Sequence, residues 1–505
     1  TLRYLRATNS TGPDGIPNIL LNKLCGQLAL PLSHIFTISF NSQQVPDDWK
    51  HAHVKPLFKN GVASDPNNYR PISLTSTCCR VMERIINKEL IDYLLDKSLV
   101  SKEQHGFIRR RSTCSNLLEC LQDWMLSIDN KRITDVIYID FKKAFDQVSH
   151  NKLLLKLNSY GITGDLYGWI KSFLSNRTQA VKLDGCLSSV IAILSGVPQG
   201  SVLGPILFVL FINDLVDCFK NLAVSTKLFA DDLKLYTSYG LTDSSCDLTE
   251  ALHRVTVWAK KWQLTINSTK CNVLRIVNPR CKNKSDIVYD LNGSSLKVLS
   301  VVKDLGVAVD KNLRFDNHIS SVVHKSLQRA NLILKCFQSR DRSLLMKAFK
   351  VYVRPLLEYA TPVWSPHFMY LILKIEHVQR SFTKRLFGLK NLTYIDRLKQ
   401  LEIDTLERRR LIYDLCTCFK IIHGYNDTCL DMNRMHLEGR PNNTRGHNLK
   451  LAKEMCRTDM LRFFFCNRIC TVWNSLPLDV VNAPSVNSFK KRVSKFNLDR
   501  FLTLK

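Results

Sequence analysis

The chain has 505 residues, of which 45% are apolar and 23% are charged, and this composition excludes an intrinsically disordered protein. Its 72 Lys and Arg against 44 Asp and Glu give a net charge of +28, so a polyanion such as nucleic acid is the expected partner. The longest apolar run, residues 206–212, is too short to cross a membrane. The 17 cysteines lack the spacing of a disulfide framework and predict free thiols in a reducing compartment.

The first third of the chain alternates turn-rich loops with helices. Glycine, proline and asparagine mark loops at residues 11–18 and 59–71. Between residues 80 and 97, apolar side chains recur at helical spacing and predict an amphipathic helix.

The middle of the chain begins with a buried strand. The run Val136 to Ile139 predicts this strand, which ends at Asp140, and a helix that stops at Gly161 is expected after it. Residues 178–194 predict a hairpin that turns at Asp184 and Gly185.

A glycine-rich loop, "SGVPQGSVLGP", then leads into an apolar helix. It is followed by "KLFADDLKLY", residues 227–236, which predicts two short strands with Asp231 and Asp232 at the bend between them. From about residue 311 the pattern changes to long helices, at 318–337 and 343–360, and boundaries are expected near residues 310 and 400.

The Asp231–Asp232 doublet raises a chemical question. Such a doublet is most often turn chemistry, but here apolar residues flank it, and its mutual repulsion in a basic chain needs a counter-cation. Asp140 would complete the site if its strand is a neighbour. Three carboxylates without a nearby His or Cys select Mg²⁺ or Mn²⁺, and a pair of such ions serves in-line displacement at phosphorus. Phosphoryl transfer on a nucleic acid is therefore predicted.

Three blocks in this order, "YIDFKKAFDQVSH", "SGVPQGSVLGPILFVLFINDL" and "FADD", resemble the palm motifs of reverse transcriptases, specifically those of jockey-like non-LTR retrotransposons, a group of long interspersed elements. The resemblance covers about residues 11–310, and the helical tail also resembles the C-terminal part of such elements. It implies an RNA-directed DNA polymerase that transfers deoxynucleotides to a primer 3′-hydroxyl.

The resemblance also implies an α+β fold in the form of a right hand. Fingers and the N-terminal part of the palm would occupy residues 1–130, and the palm with its antiparallel sheet would occupy residues 131–310. A helical thumb would follow at 311–400, and a basic helical C-terminal region at 401–505.

The resemblance assigns the metal ligands and a sugar filter. Asp140, Asp231 and Asp232 would hold two Mg²⁺ ions, with Mn²⁺ as an alternative, and the backbone carbonyl of Phe141 would be a further ligand. Phe145 falls at the position of the aromatic steric gate, which excludes the 2′-hydroxyl of a ribonucleotide. The alternative interpretation of Phe145 is an ordinary core aromatic residue.

Further residues would bind the incoming nucleotide and the template. Lys59 and Arg70 would grip the triphosphate, with Lys55 as the alternative to Lys59. Gln199 and Gly200 would line the nucleotide and template path, because glycine lets backbone approach closely and glutamine both donates and accepts hydrogen bonds.

The remaining assignments concern the leaving group and the primer. Lys270 would protonate the leaving pyrophosphate. Leu305 and Gly306 would form the primer grip. Asp146, six residues after Asp140, has a spacing typical of RNA-directed RNA polymerases, but Phe145 and the "GVPQG" block favour DNA synthesis.

The predicted partners are an RNA template, a DNA primer or target, and deoxynucleoside triphosphates, with no membrane. Because the chain begins at Thr1 rather than at methionine, a fragment of a longer polypeptide is expected. The endonuclease domain usual in such elements is expected upstream and is absent from these residues. The family implies a ribonucleoprotein of nucleus and cytoplasm. A second hypothesis is a catalytically silent retrotransposon-derived protein that only binds RNA.

Overall fold

The computed structural model describes residues 1–240, 246–278, 287–428, 430 and 447–504. Its strands are β1 (His51–Phe58), β2 (Tyr69–Leu74), β3 (Ile133–Ile139), β4 (Arg177–Leu183), β5 (Cys186–Leu187), β6 (Ile191–Ile193), β7 (Ser225–Phe229), β8 (Asp232–Tyr239), β9 (Asn272–Ile276), β10 (Asp290–Leu291), β11 (Ser294–Ser295), β12 (Lys297–Leu299), β13 (Val301–Asp304) and β14 (Val307–Asp310).

The helices of the first part of the chain are α1 (Asn18–Lys23), α2 (Cys25–Asn41), α3 (Asp47–Lys50), α4 (Thr77–Asp96), α5 (Thr113–Asp129), α6 (His150–Ser159), α7 (Gly164–Leu174), α8 (Gly204–Ile212) and α9 (Cys246–Trp262). Those of the later part are α10 (Asp316–Cys336), α11 (Arg342–Tyr352), α12 (Arg354–Glu358), α13 (Thr361–Trp364), α14 (Met369–Lys384), α15 (Tyr394–Leu401), α16 (Leu406–Ile422), α17 (Asp459–Arg462), α18 (Phe465–Asn474), α19 (Leu478–Val481) and α20 (Val486–Lys495). No helix among these is both long and apolar enough to cross a bilayer.

Strands β1, β2, β4, β5 and β6 form a mixed five-stranded sheet. Its order is β2-β1-β4-β5, and β6 also pairs with β4. The β4–β5 hairpin turns at Asp184 and Gly185, whose φ angles of 47° and 88° suit a two-residue turn of type I′. The predicted hairpin is therefore confirmed.

A second five-stranded sheet, in the order β12-β9-β3-β8-β7, lies at the centre of the molecule. Strand β3 pairs antiparallel with both β8 and β9, and β7 pairs antiparallel with β8, but β12 joins β9 in parallel. The sheet that was predicted to be antiparallel thus has one parallel edge. Helices and mainly antiparallel strands together are compatible with a right-hand polymerase.

Strand β3 separates two hydrophobic cores. Val136 packs into the core that α5 shares with the C-terminal helices, whereas Ile137 and Ile139 pack into the core of the N-terminal half. Because successive side chains of a strand point to opposite faces, a strand buried on both faces reads as a continuous apolar run. The strand therefore holds Asp140 at a rigid edge between the two cores.

The prediction of one helix over 343–360 is wrong in one respect, because the structure has two helices there, α11 and α12. The break falls at Val353, two residues before Pro355. Proline lacks a backbone N–H and its ring clashes with the preceding turn, so it starts α12 instead of continuing α11.

Residues beyond 447 pack onto the rest of the molecule through buried polar contacts. The Asp129 carboxylate at the end of α5 accepts backbone N–H bonds from Arg457, at 2.9 Å, and from Thr458, at 2.7 Å. Asp414 in α16 holds Arg468 in α18 by two bonds of 2.8 and 2.9 Å. Buried charges that are paired in this way fix the relative position of the elements that carry them.

His318, at the start of α10, is predicted to make the stability of this helical region depend on pH. Burial lowers the pKa of His318 to about 4, and its Nδ1 accepts a hydrogen bond from the Ala308 N–H. The unfolded chain, with a His pKa near 6.5, binds the extra proton first, so stability is lost as the pH falls from about 6.5 to 4, by on the order of 2 kcal/mol. Urea unfolding at pH 7 and pH 4.5 measures this loss.

The His318→Asn variant keeps an acceptor for the Ala308 N–H but has no titrating ring. Its stability should change less over that pH range than the wild-type protein's. The exposed His34 in α2 supplies the control, because His34→Asn should leave the wild-type pH dependence in place. An equal pH dependence in His318→Asn and wild type would contradict the prediction.

Candidate functional site

Asp140, Asp231 and Asp232 lie at neighbouring strand ends of the central sheet. Ile139, the last residue of β3, pairs with Leu233 of β8, so Asp140 leaves the sheet beside the β7–β8 turn. Phe229 pairs with Asp232 across a two-residue turn, and the turn is made by Ala230 and Asp231. Asp232 is thus the first residue of β8 rather than part of the bend.

The β7–β8 turn is held by a residue that the sequence interpretation missed. Ala230 has a φ of 56°, an uncommon conformation for a side chain with a Cβ. The buried Gln104 side chain accepts hydrogen bonds from the Ala230 N–H, at 2.9 Å, and from the Gly106 N–H, at 2.7 Å. A Cβ on Gly106 would lie 2.3 Å from the Ala230 nitrogen, so only glycine allows this approach.

The electrostatics of the doublet show that the three carboxylates repel one another. Burial raises the pKa of Asp231, and the Asp140 charge raises it further. Asp232 is exposed at the rim of a cleft, but its carboxyl group is partly shielded from solvent by the surrounding protein. This shielding raises its pKa, and the charges of Asp231, Asp304 and Asp140 raise it further, to about 7. A cation between these groups would relieve the repulsion.

Asp140 is turned toward two residues that follow the loop after α9. Its Oδ2 accepts a hydrogen bond from Asn267 Nδ2 at 3.1 Å, and Lys270 Nζ lies 4.0 Å from the same oxygen. The Lys270 side chain is 70% exposed, so this ion pair is weak. Lys270 is therefore next to the predicted metal ligands, as its assigned role requires.

The carbonyl of Phe141 remains available as a ligand. Phe141 forms a bridge with Ile266, and the two hydrogen bonds around that bridge run from Asn267 N to Asp140 O and from Lys142 N to Thr265 O. In such a non-hydrogen-bonded pair the facing residues do not use their own backbone groups. Neither bond therefore occupies the Phe141 carbonyl.

The ligand atoms of this site are of the type that a hard divalent cation prefers, but their positions in the structure do not form a complete metal site. Carboxylate and carbonyl oxygens are the ligands that Mg²⁺ and Mn²⁺ prefer. Among the described residues, however, no three His, Cys, Asp or Glu side chains stand close enough together to hold a metal ion.

Phe145 and the adjacent Asp146 contact α8 and the glycine-rich loop, respectively. The Phe145 ring is half-buried and stacks on Phe208, with centroids 4.1 Å apart and planes at 15°. Gln199 Nε2 donates to the Asp146 carboxylate at 2.9 Å. Gly196, at a φ of 89°, packs so closely that a Cβ there would lie 2.8 Å from Asp146 Cα. The glycine-rich loop is thus fixed on the segment that carries the predicted gate.

The same loop touches strand β2. Ser73 N donates to the Gln199 carbonyl at 2.7 Å, and a Cβ on Gly200 would lie 2.3 Å from the Ser73 carbonyl oxygen. Arg70 lies on the same strand, and both Arg70 and Lys59 lower the pKa of Asp231 against the effect of burial. The positive charges of these two exposed side chains therefore act on Asp231.

Glu83 is a second residue that the sequence interpretation missed. It is fully buried in α4 and accepts the backbone N–H of Val202 at 2.7 Å and of Leu203 at 2.9 Å, directly before α8. The sequence did contain an indication of this role, because Cys79, Glu83 and Ile86 share the apolar stripe of α4. An acidic side chain on such a stripe is expected to have a specific partner.

The β13–β14 hairpin closes the site on the other side. Its loop residues Leu305 and Gly306 have φ angles of 44° and 90°, as a type I′ turn requires. Tyr359 Oη donates to the Leu305 carbonyl at 2.7 Å, and a Cβ on Gly306 would lie 3.1 Å from the Tyr359 ring. The hairpin tip is therefore fixed on the start of the helical region.

One cleft is lined by residues from the central sheet, the segment before β9 and the β13–β14 hairpin. It measures about 380 Å³, and Asp140, Asp232, Lys270 and Leu305 line it together. The structure thus brings two of the predicted metal ligands, the predicted acid and one residue of the predicted primer grip to a single opening, and Asp231 lies in the turn directly before Asp232.

The family described as "Reverse transcriptase (RNA-dependent DNA polymerase)" matches residues 57–309. "RNA-directed DNA polymerase from mobile element jockey" of Drosophila funebris is 30% identical over 396 residues, which cover 76% of this chain and 43% of that protein. "Probable RNA-directed DNA polymerase from transposon BS" of Drosophila melanogaster is 29% identical over 382 residues, which cover 72% of this chain and 41% of that protein.

The chain thus spans about two-fifths of the length of the curated relatives that it matches. Among solved structures, a telomerase from Candida tropicalis, in its apo form and truncated from the C-terminal domain, matches with a TM-score of 0.39 and 13% identity, over 57% of this chain and 59% of that one.

Proposed function

The chain belongs to the reverse transcriptase (RNA-dependent DNA polymerase) family, on its jockey-like non-LTR branch, and from that premise we propose that it is the RNA-directed DNA polymerase of such a retrotransposon. The observation that carries the proposal is the position of Asp140, Asp231 and Asp232 at adjacent strand ends, with Asp140 and Asp232 in the lining of one cleft. The net charge of +28 supports a nucleic-acid substrate.

Asp140, Asp231 and Asp232, with the Phe141 carbonyl, would hold two divalent cations, Mg²⁺ or Mn²⁺. Such ions, when bound, activate the primer 3′-hydroxyl and stabilise the leaving pyrophosphate. Burial raises the pKa of Asp231 and Asp232, and repulsion from the neighbouring carboxylates raises it further. This supports the assignment, because a bound divalent cation would offset the repulsion and allow all three carboxylates to be ionised together.

The remaining residues of the cleft have roles that follow from their charge and position. Lys59 and Arg70 would bind the triphosphate by charge-assisted hydrogen bonds. Lys270, beside Asp140, would donate a proton to the leaving pyrophosphate. Gln199, which donates to Asp146, and Gly200 would line the nucleotide and template path, while Leu305 and Gly306 would contact the primer backbone.

We assign the regions of the right hand as the sequence predicts them. Fingers and the start of the palm comprise residues 1–130, and the palm comprises 131–310. The thumb comprises 311–400 and the basic C-terminal region 401–505. The partners are an RNA template, a DNA primer and deoxynucleoside triphosphates, and the site of action is a ribonucleoprotein in nucleus and cytoplasm.

Primer extension tests the proposal directly. The full chain is incubated with an RNA template, an annealed DNA primer, deoxynucleoside triphosphates and Mg²⁺, and we expect template-length DNA. Omission of Mg²⁺ with added chelator should stop synthesis. Folded protein that binds the hybrid but extends no primer would support the alternative, a silent copy that only binds RNA.

Phe145→Ala is expected to weaken discrimination between deoxynucleotides and ribonucleotides. The loss of the ring opens space for a 2′-hydroxyl, and one small group in a steric pocket changes discrimination by about 10-fold or more. Single-nucleotide incorporation of dCTP and CTP measures the ratio. Because Phe145 also stacks on Phe208, Phe208→Leu serves as the control: it disturbs the stack but keeps the gate. Unchanged sugar discrimination in Phe145→Ala would remove Phe145 from this role.

A further inference from the structure

A second cleft lies where α13, α17 and the segment before α10 meet. It measures about 330 Å³, within the range of small-ligand pockets. Its walls come mainly from residues 312–315, 363–368 and 457–468, and Met125 and Asn278 also line it. It shares no lining residue with the cleft that holds Asp140 and Asp232.

A stack of rings forms one side of this second cleft. His367 lies parallel to Phe463, with centroids 4.1 Å apart and planes at 5°. Phe368 follows at 4.0 Å from His367, and Tyr370 lies 5.8 Å from Phe368. Phe463 is 38% exposed although it is a large apolar residue, so the end of the stack is open to solvent.

Arginines surround the stack. The Arg314 guanidinium lies 5.0 Å from the centre of the Phe368 ring, and its side chain is about half exposed. It pairs with Asp316 at 3.2 Å and donates to the Tyr370 hydroxyl at 3.1 Å, so a phosphate would share it with these groups. Arg457 also lines the cleft and is exposed, and its backbone N–H is bound by Asp129. Arg468, held by Asp414, adds a third positive charge. Asp459 is the acidic side chain of the cleft, and Arg462 pairs with it at 3.3 Å.

We propose that this second cleft binds one unpaired nucleotide of a single-stranded nucleic acid, with its base on the Phe463 ring and its phosphate between Arg457 and Arg314. Aromatic faces accept any base by stacking, and nearby guanidinium groups bind the phosphate backbone. An isolated aromatic cluster that only joined two helices would bury its terminal ring and would not need exposed arginines in the same cleft.

The proposal extends the molecule's function, because it adds a nucleic-acid contact outside the polymerase cleft. A strand held there would not be the template–primer duplex at Asp140 but another segment of the same RNA, or a displaced DNA strand. The chemistry of the site is common to both sources. It does not depend on catalysis, so an inactive polymerase could still bind a strand at this cleft.

The experiment uses the full chain with its polymerase cleft saturated by an unlabelled RNA–DNA hybrid. Binding of labelled 12-nucleotide oligo(U) and oligo(dT) is then followed by fluorescence anisotropy. We expect the saturated protein to bind both, and Phe463→Ala to weaken the affinity about 5- to 100-fold through loss of one stacked base. Phe463→Tyr, which keeps the ring, should bind like wild type. Tighter binding of oligo(U) or of oligo(dT) identifies RNA or DNA as the source, and either supports the proposal.

Two further variants complete the test. Arg457→Ala should weaken binding and reduce the salt dependence by about one phosphate contact. Phe387→Ala removes a phenylalanine that is 76% exposed elsewhere in the helical region, and it should have no effect. No binding of either oligonucleotide to the saturated protein would overturn the proposal. Wild-type affinity in Phe463→Ala, or equally tight binding of a blunt duplex of the same length, would also overturn it.

Discussion

Asp231→Asn is expected to reduce nucleotide incorporation by at least about 1,000-fold while leaving the fold intact. The substitution removes one ionised ligand from a site where charge stabilises the transition state, and even a single neutral donor in such a site is worth about 100- to 1,000-fold. It should not destabilise the protein. Burial and Asp140 both raise the pKa of Asp231, which means that the folded chain already disfavours its charged form.

Two measurements on the same preparation separate these effects. Single-turnover incorporation reports the chemistry, and thermal unfolding reports the fold. We expect Asp231→Asn to melt at or above the wild-type temperature in the absence of divalent ions, since an amide replaces a repelled carboxylate. Asp96→Asn, an exposed carboxylate at the end of α4, is the matched control and should change neither quantity. Incorporation by Asp231→Asn at the wild-type rate would make the metal assignment wrong.

Strand β3 and the β4–β5 hairpin could be predicted because their causes are local. The apolar run before Asp140 indicates a strand buried on both faces, and the Asp184–Gly185 pair indicates a tight hairpin. The order of the motifs then placed Asp140 near Asp231 and Asp232, and the register of β3 with β8 agrees with that placement. Their roles in catalysis stay predictions until activity is measured.

The residues that support the site could not be predicted in the same way, because their partners are distant in sequence. Gln104 holds the turn at Ala230, 126 residues further along, and Glu83 holds Leu203, 120 residues further along. A hydrogen bond of this kind leaves no periodic pattern in the chain. The only local sign is a polar side chain in an apolar setting, which Glu83 shows and which Gln104, in a loop, does not.

The position of the doublet within its turn also required the structure. The sequence places both aspartates at the bend, whereas β8 begins at Asp232 and the bend consists of Ala230 and Asp231. Alanine rarely adopts a positive φ, so propensity favours the next two residues for the turn. The contacts of Gln104 and Gly106 with Ala230 overrule that preference.

Asp304→Ala is expected to destabilise the protein by about 3–5 kcal/mol, because it leaves the buried charge of Lys234 without its partner. Lys234 Nζ lies 2.9 and 3.2 Å from the two Asp304 oxygens and 2.5 Å from Asn116 Oδ1, and both charged side chains are almost fully buried. Burial alone would lower the pKa of Lys234, and Asp304 reverses that effect and raises it. Asp304 directly precedes Leu305, so its loss also loosens the hairpin that would grip the primer.

A double-mutant cycle tests this prediction. Lys234→Met should be destabilising by itself, because it leaves Asp304 buried and unpaired beside Asp232, whose pKa Asp304 already raises. The double variant Lys234→Met with Asp304→Leu removes both charges and should recover most of the stability, since apolar side chains of similar volume replace a buried ion pair at little cost. Urea unfolding followed by tryptophan fluorescence measures all four proteins. A stability of Asp304→Ala within about 1 kcal/mol of wild type would show that solvent reaches Lys234, because an exposed ion pair contributes no more than that.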